Sequence, residues 1–322
     1  MEYRNLGKTG LKVSMLCMGT MQFGWSVDEA DTQRILSRIY EAGINFIDTA
    51  DVYSKWVEGN PGGVAEEYIG RWMKQAKIPR DSLVIATKVR GRMGEGPNDE
   101  GLSHVHIMQA VEASLRRLQT DYIDLYQTHW SDQETPVEET LRAMDDLVRQ
   151  GKVRYIGASN HKAWELMQAL WASDKYNLVR YVALQPHYNL IERAEFEAEL
   201  RDVCKTYGLG VIPYSPLAGG FLTGKYRKDK PVPDSRRAKG LQHAMIEQNF
   251  SLIEKMDEIG KEHNATVSQV ALAWLLADPV ITSPIIGATS QKQLDENLGA
   301  LDVKLIKEER QLLDELTAWK ED

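Results

Sequence analysis

The sequence predicts an α/β fold, a (β/α)8 TIM barrel with an N-terminal β-hairpin and additional helices. Eight short apolar runs alternate with amphipathic stretches of helical period, and a parallel sheet needs such a crossover between successive strands. An open doubly wound sheet usually carries a Gly-x-Gly-x-x-Gly turn after its first strand, whereas the first run here leads into the stretch GTMQFG at residues 19–24. Because barrels often exceed about 200 residues as one domain, we expect a single domain over residues 1–322.

The predicted elements follow in barrel order after a hairpin that turns at residues 7–10. The eight predicted strands are 16–19, 45–48, 83–87, 123–127, 155–158, 182–185, 210–213 and 283–286. The predicted helices are 28–42, 63–75, 105–118, 137–150, 162–172, 194–207, 291–301 and the tail 306–319. Three insertions, 91–103, 228–240 and 249–277, are expected around the strand ends, where barrels bind ligands, and the last contains two more helical stretches.

The composition limits the classes of protein and partner. The formal net charge of −8 disfavours a nucleic acid or an anionic membrane as partner. No apolar run approaches the roughly 20 residues that span a bilayer, and the polar stretch 1–11 lacks the apolar segment of a secretion signal. Cys17 and Cys204 lie in apolar runs and are interpreted as core thiols, not as a disulfide or a metal pair. Such sparse use of cysteine fits a reducing compartment, so we expect a cytoplasmic protein.

Four ionisable residues fall at or just after the ends of successive predicted strands. Asp48 ends the second strand, Tyr53 follows five positions later, Lys88 closes the third run and His129 follows the fourth. Side chains at these ends converge on one mouth of a barrel. A lysine there is costly without a charge partner, and Asp48 is the natural one. The pair would hold a cation beside the Tyr53 hydroxyl, lower its pKa and make it a proton donor near neutral pH, while a neutral His129 would orient a substrate carbonyl.

Each of these residues has an ordinary structural explanation when it is taken alone. Asp48 suits a helix cap, Lys88 a side chain that reaches solvent, Tyr53 a rim aromatic and His129 a hydrogen-bonded loop histidine. Their joint placement on consecutive strand ends favours a catalytic group. No metal is expected, because no Cys/His cluster has ligand spacing and His104 with His106 forms an isolated i, i+2 pair on a predicted loop.

Ordered motifs along the chain resemble the aldo-keto reductase family. They are GINFIDTADVY at 43–53, IATK at 85–88, DYIDLYQTH at 121–129, GKVRYIGASN at 151–160, PYSPLAGG at 213–220 and IGAT at 286–289. The resemblance implies the barrel, a nicotinamide cofactor bound without a Rossmann turn, and an Asp–Tyr–Lys–His tetrad at Asp48, Tyr53, Lys88 and His129. Residues 287–293 are more similar to the bacterial branch related to the voltage-gated potassium-channel β subunits than to the aldose-reductase-like members, which hold the 2′-phosphate with a Lys-Ser pair and an arginine.

The resemblance also implies the residues that bind the cofactor. Ser159 and Asn160, helped by Gln185, would hydrogen-bond the nicotinamide carboxamide, and Tyr214 would stack under the nicotinamide ring. The groups expected around the phosphates are Ser215, Pro216, Leu217, Gly219, Lys225 and Arg236, with Arg237 as the alternative to Arg236. The other expected contacts are Thr20, Met21, Asp48, Gly287, Thr289, Gln293, Glu296 and Asn297. Without the resemblance, residues 293–297 would be interpreted as a solvated helix face. Members of the bacterial and channel-β branch use a hydroxyl and a glutamine in this segment, so the resemblance implies NADPH/NADP+ as the cofactor, with NADH second.

The predicted activity is therefore the NADPH-dependent reduction of a small carbonyl substrate. Trp25, Trp56 and Trp130 lie near strand ends and are expected to wall the substrate pocket. Two alternatives stay open. One is an NADPH-binding, redox-sensing partner subunit, as in the channel-β branch. The other is a sugar- or glycoside-oxidising dehydrogenase, in which the same tryptophans stack on carbohydrate. A homo-oligomer is compatible with either alternative and with the reductase.

Overall fold

The described part of the chain, residues 1–233 and 238–319 of a computed structural model, forms the predicted (β/α)8 barrel. The antiparallel hairpin consists of β1 and β2, Tyr3–Asn5 and Lys12–Ser14. The barrel strands β3 to β10 are Cys17–Gly19, Phe46–Asp48, Val84–Val89, Ile123–Thr128, Val153–Ser159, Tyr181–Gln185, Gly210–Val211 and Ile285–Ile286. They form one parallel sheet in the order β10-β3-β4-β5-β6-β7-β8-β9. A parallel bridge between Val211 and Ile281 joins the two edges and closes the barrel.

Every predicted barrel strand is present, and no strand end differs from the prediction by more than two residues. β5 runs past the apolar stretch to Val89 because Lys88 is itself buried and pairs in register with Gln127 of β6. β9 stops early, two residues before Pro213, which has no N–H to donate to a ladder. Apolar runs therefore locate the strands but do not mark where their hydrogen bonds end.

Helices surround the barrel. Helices α1 to α10 are Glu29–Glu41, Val64–Gln75, His104–Leu118, Val137–Arg149, Ala163–Tyr176, Arg201–Tyr207, Glu247–Glu262, Val267–Leu276, Gln291–Leu298 and Lys307–Leu316. The segment predicted as one helix over 194–207 contains a π-helical turn, Phe196–Leu200, directly before α6. None of the described helices is long and apolar enough to cross a membrane.

The prediction that His104 and His106 lie on a loop is wrong. Both residues lie in the first turn of α3, and the hydroxyl of Ser103 accepts a hydrogen bond from the His106 backbone N–H at the start of this helix. A serine at this position is a common N-cap because it satisfies one of the free N–H groups of the first turn. The helix predicted over 105–118 already contained His106, and the observed helix begins one residue earlier, at His104.

The core has two layers. Inside the barrel, a cluster that includes Leu6, Cys17, Phe46, Leu125 and Ile212 fills the space below the mouth. A larger cluster lies between the strands and the surrounding helices. Cys17 and Cys204 are both buried free thiols, as the sequence predicts. The side chains at the mouth of the barrel therefore lie directly above a packed apolar core.

The N-terminal hairpin packs against the starts of β8 and β9, at the end of the barrel opposite the mouth. Gly7 has φ of +58°, and a Cβ at this position would lie 2.6 Å from both the Gly208 carbonyl oxygen and the Gly210 nitrogen. The backbone N–H of Lys8 also donates to the Gly208 carbonyl at 2.8 Å. Only glycine fits this close approach without strain.

We predict that Gly7→Ala lowers the free energy of unfolding by about 2–4 kcal/mol, because the added methyl both clashes with backbone and favours a different φ. Gly10→Ala is the matched control, since a Cβ there meets no atom within 4 Å. Urea denaturation of both variants measures the difference. Equal stabilities of the two variants would contradict this account of the hairpin.

Candidate active site

A cavity of about 750 Å³ opens at the C-terminal ends of the barrel strands. Nearly all of the residues that the sequence nominates line it together. These are Thr20, Met21, Trp25, Asp48, Tyr53, Trp56, His129, Trp130, Ser159, Asn160, Gln185, Tyr214, Ser215, Pro216, Leu217, Gly219, Lys225, Gly287, Thr289, Gln293, Glu296 and Asn297. Lys88 lies beneath the cavity, and the predicted contact Arg236, with its alternative Arg237, lies outside the described residues.

The ammonium group of Lys88 is the centre of the site. Its Nζ donates to Asp48 Oδ1 at 2.5 Å, to the Thr49 carbonyl at 2.8 Å and to Tyr53 Oη at 3.0 Å. The side chain is 0% exposed. All three donors of the ammonium are thus used, which is the condition under which a buried charge is tolerated.

Asp48 is held by two further side chains. Its Oδ2 accepts hydrogen bonds from Gln127 Nε2 at 3.0 Å and from Gln185 Nε2 at 2.8 Å. Gln127 was not among the predicted site residues. Its signal in the sequence is a polar side chain at the end of a buried strand, in register with Lys88.

The electrostatics of Tyr53 differ from the sequence-based expectation. Burial raises the pKa of its phenol, Lys88 lowers it, and the net direction is above the ordinary value. The pKa of Lys88 also lies above its ordinary value: burial lowers it, but the neighbouring Asp48 and Tyr53 raise it by more. The ammonium therefore stays charged, and the phenol keeps its proton through neutral pH.

His129 stands beside the Tyr53 ring and is neutral. The pKa of its imidazole lies well below the ordinary value because of burial first and then of the cations Lys88 and Arg90. The ring stacks on Trp130 with centroids 3.8 Å apart and lies edge-on to Tyr53 at 6.0 Å. Its Nδ1 is buried and has no hydrogen-bond partner among the described residues. A neutral imidazole in this position suits hydrogen bonding to an uncharged polar group.

Aromatic side chains form the wall near Tyr53. Trp56 lies edge-on to Tyr53 at 6.2 Å and to Trp25 at 5.9 Å. Trp56 and Trp130 keep 48% and 41% of their surface exposed. Large aromatic faces left open beside a proton-bearing hydroxyl form an apolar recess that an organic substrate can fill.

The opposite side of the mouth is polar and rigid. Asn160 donates through Nδ2 to the His129 carbonyl at 2.9 Å and to Ser159 Oγ at 3.1 Å. The Tyr214 hydroxyl donates to Asn160 Oδ1 at 2.9 Å, so the tyrosine ring cannot swing freely. The sequence-predicted carboxamide contacts and the stacking tyrosine thus form one hydrogen-bonded unit.

The far end of the cavity suits an extended anionic ligand. Ser215, Gly219 and Gly220 have positive φ, so the backbone turns tightly there, and the Lys225 Nζ lies 3.5 Å from the position of a Cβ on Gly220. A Cβ on Gly287 would meet no atom within 4 Å, which leaves open space against the backbone. Beyond it, Thr289 donates through its backbone N–H and its hydroxyl to Gln293 Oε1 at 2.9 and 3.0 Å. These residues fit a dinucleotide bound extended across the mouth.

Comparison with known proteins agrees with the barrel and its mouth. Residues 15–318 match the Aldo/keto reductase family, and the chain belongs to that family. Its relatives include the uncharacterized oxidoreductase YrpG of Bacillus subtilis, 42% identical over 98% of this chain and 96% of that protein. A probable voltage-gated potassium channel subunit beta of rice (Oryza sativa subsp. japonica) is 38% identical over 94% and 92% of the two chains. Versiconal hemiacetal acetate reductase of Aspergillus parasiticus is 35% identical over 98% and 96%.

The family gives the class of chemistry. Aldo/keto reductases are oxidoreductases that use nicotinamide cofactors and act on small carbonyl compounds. The cavity described above lies where a barrel places its ligands, at the C-terminal ends of the strands.

We predict that Lys88→Met lowers the free energy of unfolding by about 3–5 kcal/mol, because it leaves the Asp48 carboxylate buried without its cation. The double variant Lys88→Met with Asp48→Asn should recover much of that loss, since no buried charge remains. The measurement is urea denaturation of the wild type and the two variants.

Lys152→Met is the matched control for this prediction. Lys152 pairs with Glu112 near the surface, with 33% and 43% of the two side chains exposed. Partly exposed pairs contribute at most about 1 kcal/mol. A Lys88→Met variant no less stable than Lys152→Met would contradict the described role of the buried pair.

Proposed function

We propose that this protein is an NADPH-dependent carbonyl reductase that converts aldehydes or ketones to alcohols, with Tyr53 as the proton donor. The observation that carries the proposal is the 3.0 Å contact between Lys88 Nζ and Tyr53 Oη, made at the base of the cavity and fixed by Asp48. The polar side of the cavity, with its open space against the Gly287 backbone, is consistent with a bound cofactor. The aromatic wall is consistent with an organic carbonyl substrate.

Each residue of the tetrad has a distinct part in the proposed reaction. The bound cofactor would supply a hydride from its nicotinamide C4 to the carbonyl carbon. Tyr53 Oη donates its proton to the carbonyl oxygen as negative charge develops there, and the Lys88 ammonium stabilises the tyrosinate that remains. Asp48 keeps Lys88 charged and in place. His129 hydrogen-bonds the carbonyl oxygen and orients it toward Tyr53. Solvent at the open mouth then returns a proton to Tyr53.

The raised pKa of Tyr53 is compatible with this role. An acid must hold its proton until the transition state, and burial ensures that Tyr53 is protonated throughout the neutral range. When the carbonyl oxygen gains charge, Lys88 lowers the cost of releasing that proton. The cation is therefore most valuable in the transition state, where it contributes to rate more than to binding.

We expect Tyr53→Phe to lower kcat by about 10²- to 10⁴-fold with cofactor affinity little changed, because the substitution keeps the ring and removes the proton. Steady-state rates with NADPH and a panel of simple aldehydes, together with a cofactor titration by fluorescence quenching, separate the two effects. Tyr176→Phe, on the outer surface of α5, is the control. Wild-type turnover by Tyr53→Phe would refute the assignment.

The choice of NADPH over NADH rests on the donors around the end of the groove. Thr289 and Gln293 line the cavity and supply a hydroxyl and an amide, and Lys292, an exposed residue next to Gln293 in the chain, would add a cation nearby. A 2′-phosphate gains from such donors, and a charge-assisted hydrogen bond contributes about 1.5–3 kcal/mol. One or two of them would favour NADPH by about 10- to 1000-fold.

Fluorescence titrations with NADPH and NADH measure this preference in the wild type and in Thr289→Ala with Gln293→Ala. We expect the double variant to lose most of the preference. Gln291→Ala is the control, because Gln291 is exposed on the same helix and does not line the cavity. Equal affinity of the wild type for both cofactors, or a double variant with the full preference, would rule out this account.

A second candidate function is a partner subunit whose redox state is sensed through the cofactor. The observation in its favour is a pair of exposed tryptophans one heptad apart on α5, Trp164 and Trp171, with 55% and 56% of their surface exposed. Aromatic groups left open on an outer helix are typical of protein contact surfaces. Rapid turnover of simple aldehydes by the isolated protein would oppose this role as its whole function. A sugar-oxidising enzyme would use the same tetrad in the reverse direction. A screen that measures reduction of aldehydes with NADPH and oxidation of sugars with NADP+ distinguishes this role from the reductase.

A further inference from the structure

His187, which lies outside the cavity, packs against Tyr214, the residue on which the cofactor is proposed to stack. The rings of His187 and Tyr214 are parallel within 10°, with centroids 5.0 Å apart. A parallel backbone bridge joins the two residues, and the Tyr214 N–H donates to the Pro186 carbonyl at 3.0 Å. Tyr214 is among the described residues that line the cavity and His187 is not. The imidazole therefore covers the ring face that is turned away from the cavity.

The tyrosine between the cavity and His187 is fixed at both ends. Its backbone is held by the bridge, and its hydroxyl donates to Asn160 Oδ1 at 2.9 Å. The ring thus separates two environments without rotating between them. A change of charge on the His187 imidazole therefore acts on the cavity side across the thickness of the Tyr214 ring.

The charges that face His187 come from three neighbouring segments. Burial lowers the pKa of its imidazole, the carboxylates of Glu192 and Glu195 raise it, and His243 lowers it, with a net direction below the ordinary value. His243 lies 3.7 Å from Glu192 Oε1. His187 is only half-buried and can exchange protons with solvent. It is accordingly neutral at neutral pH and gains a proton only in the acidic range.

We propose that His187 is a positioning residue that makes the protein discriminate between oxidised and reduced nicotinamide in a pH-dependent way. The inference rests on the proposed function, in which the nicotinamide ring lies on the exposed face of Tyr214. An imidazolium within about 6 Å of a tyrosine centroid draws on the ring's π electrons. The opposite face then attracts a second cation less. The oxidised nicotinamide is a cation and the reduced form is neutral, so protonation of His187 weakens binding of the oxidised form selectively.

The experiment is a pair of titrations across pH. Dissociation constants for NADP+ and NADPH are measured by quenching of intrinsic tryptophan fluorescence between pH 5.5 and 8.0. The ratio of the two constants cancels every group that sees both forms alike, including the 2′-phosphate. The ratio of NADP+ to NADPH dissociation constants should rise about three- to tenfold toward pH 5.5, the size expected for two cations separated by one ring at an intermediate dielectric.

Two variants show whether His187 is the group responsible. His187→Phe keeps a stacked ring and removes the charge, so its ratio should stay flat with pH. His104→Gln is the matched control, because it removes a histidine on α3 that does not line the cavity and is paired with Asp146, and it should follow the wild type. A flat ratio in the wild type, or an undiminished rise in His187→Phe, would overturn the inference.

A second measurement uses the wild type alone and does not depend on folding of the variant. Linkage is reciprocal: if protonated His187 weakens NADP+ binding, NADP+ must lower the pKa of His187 by the logarithm of the same factor. Titration of the histidine C2–H signals by NMR, with saturating NADP+ and then NADPH, measures this directly. Equal His187 titrations in the two complexes would also overturn the inference. Binding of neither cofactor at any pH would instead refute the proposed function itself, and this inference with it.

Discussion

The ammonium group of Lys88 is the interaction on which the rest of the site depends. A charge with 0% exposure loses its hydration, and only a full set of partners makes that loss tolerable. The partners come from the loop after β4 and from Asp48 at its end, and Asp48 is in turn held by glutamines at the ends of β6 and β8. Four different strand ends must therefore converge to within hydrogen-bond distance. A closed parallel barrel achieves this because all its strands end at one mouth.

The same constraint explains the division of the cavity. The buried cation fixes Tyr53 at the base, and the groups above it separate into two kinds. Tryptophans occupy one side, where they leave large apolar faces exposed. Ser159, Asn160 and Tyr214 occupy the other, joined to one another and to the His129 backbone by hydrogen bonds. His129 belongs to both sides, since its ring faces Tyr53 and its carbonyl holds Asn160. A displacement of either side therefore reaches Tyr53, and in the proposed function this couples the position of the cofactor to the proton donor.

Much of this arrangement could be predicted from the sequence. The strand count, the helix order and the tetrad positions follow from apolar periodicity and from motifs such as IATK at 85–88 and GASN at 157–160. The parts that could not be predicted depend on contacts between distant segments. Strand ends depend on partners in register, and the role of Gln127 depends on its distance from Asp48. The pKa of Tyr53 depends on how deeply its phenol is buried. The sequence pattern predicted the neighbouring Lys88 cation but not this burial. The stack of His187 on Tyr214 is another such contact, because nothing in a sequence pairs two rings 27 positions apart.

The most direct test of the central claim is the pH dependence of kcat/KM at alkaline pH in the wild type and in Lys88→Met. In the proposed mechanism, deprotonation of Tyr53 removes the acid, so the rate of carbonyl reduction should fall as the pH rises through the pKa of its phenol. Lys88 lowers that pKa, and burial raises it. Removal of the cation should therefore leave a slower enzyme whose alkaline limb lies at higher pH than in the wild type. A limb at the same or a lower pH in Lys88→Met would contradict the claim that Lys88 governs the proton on Tyr53.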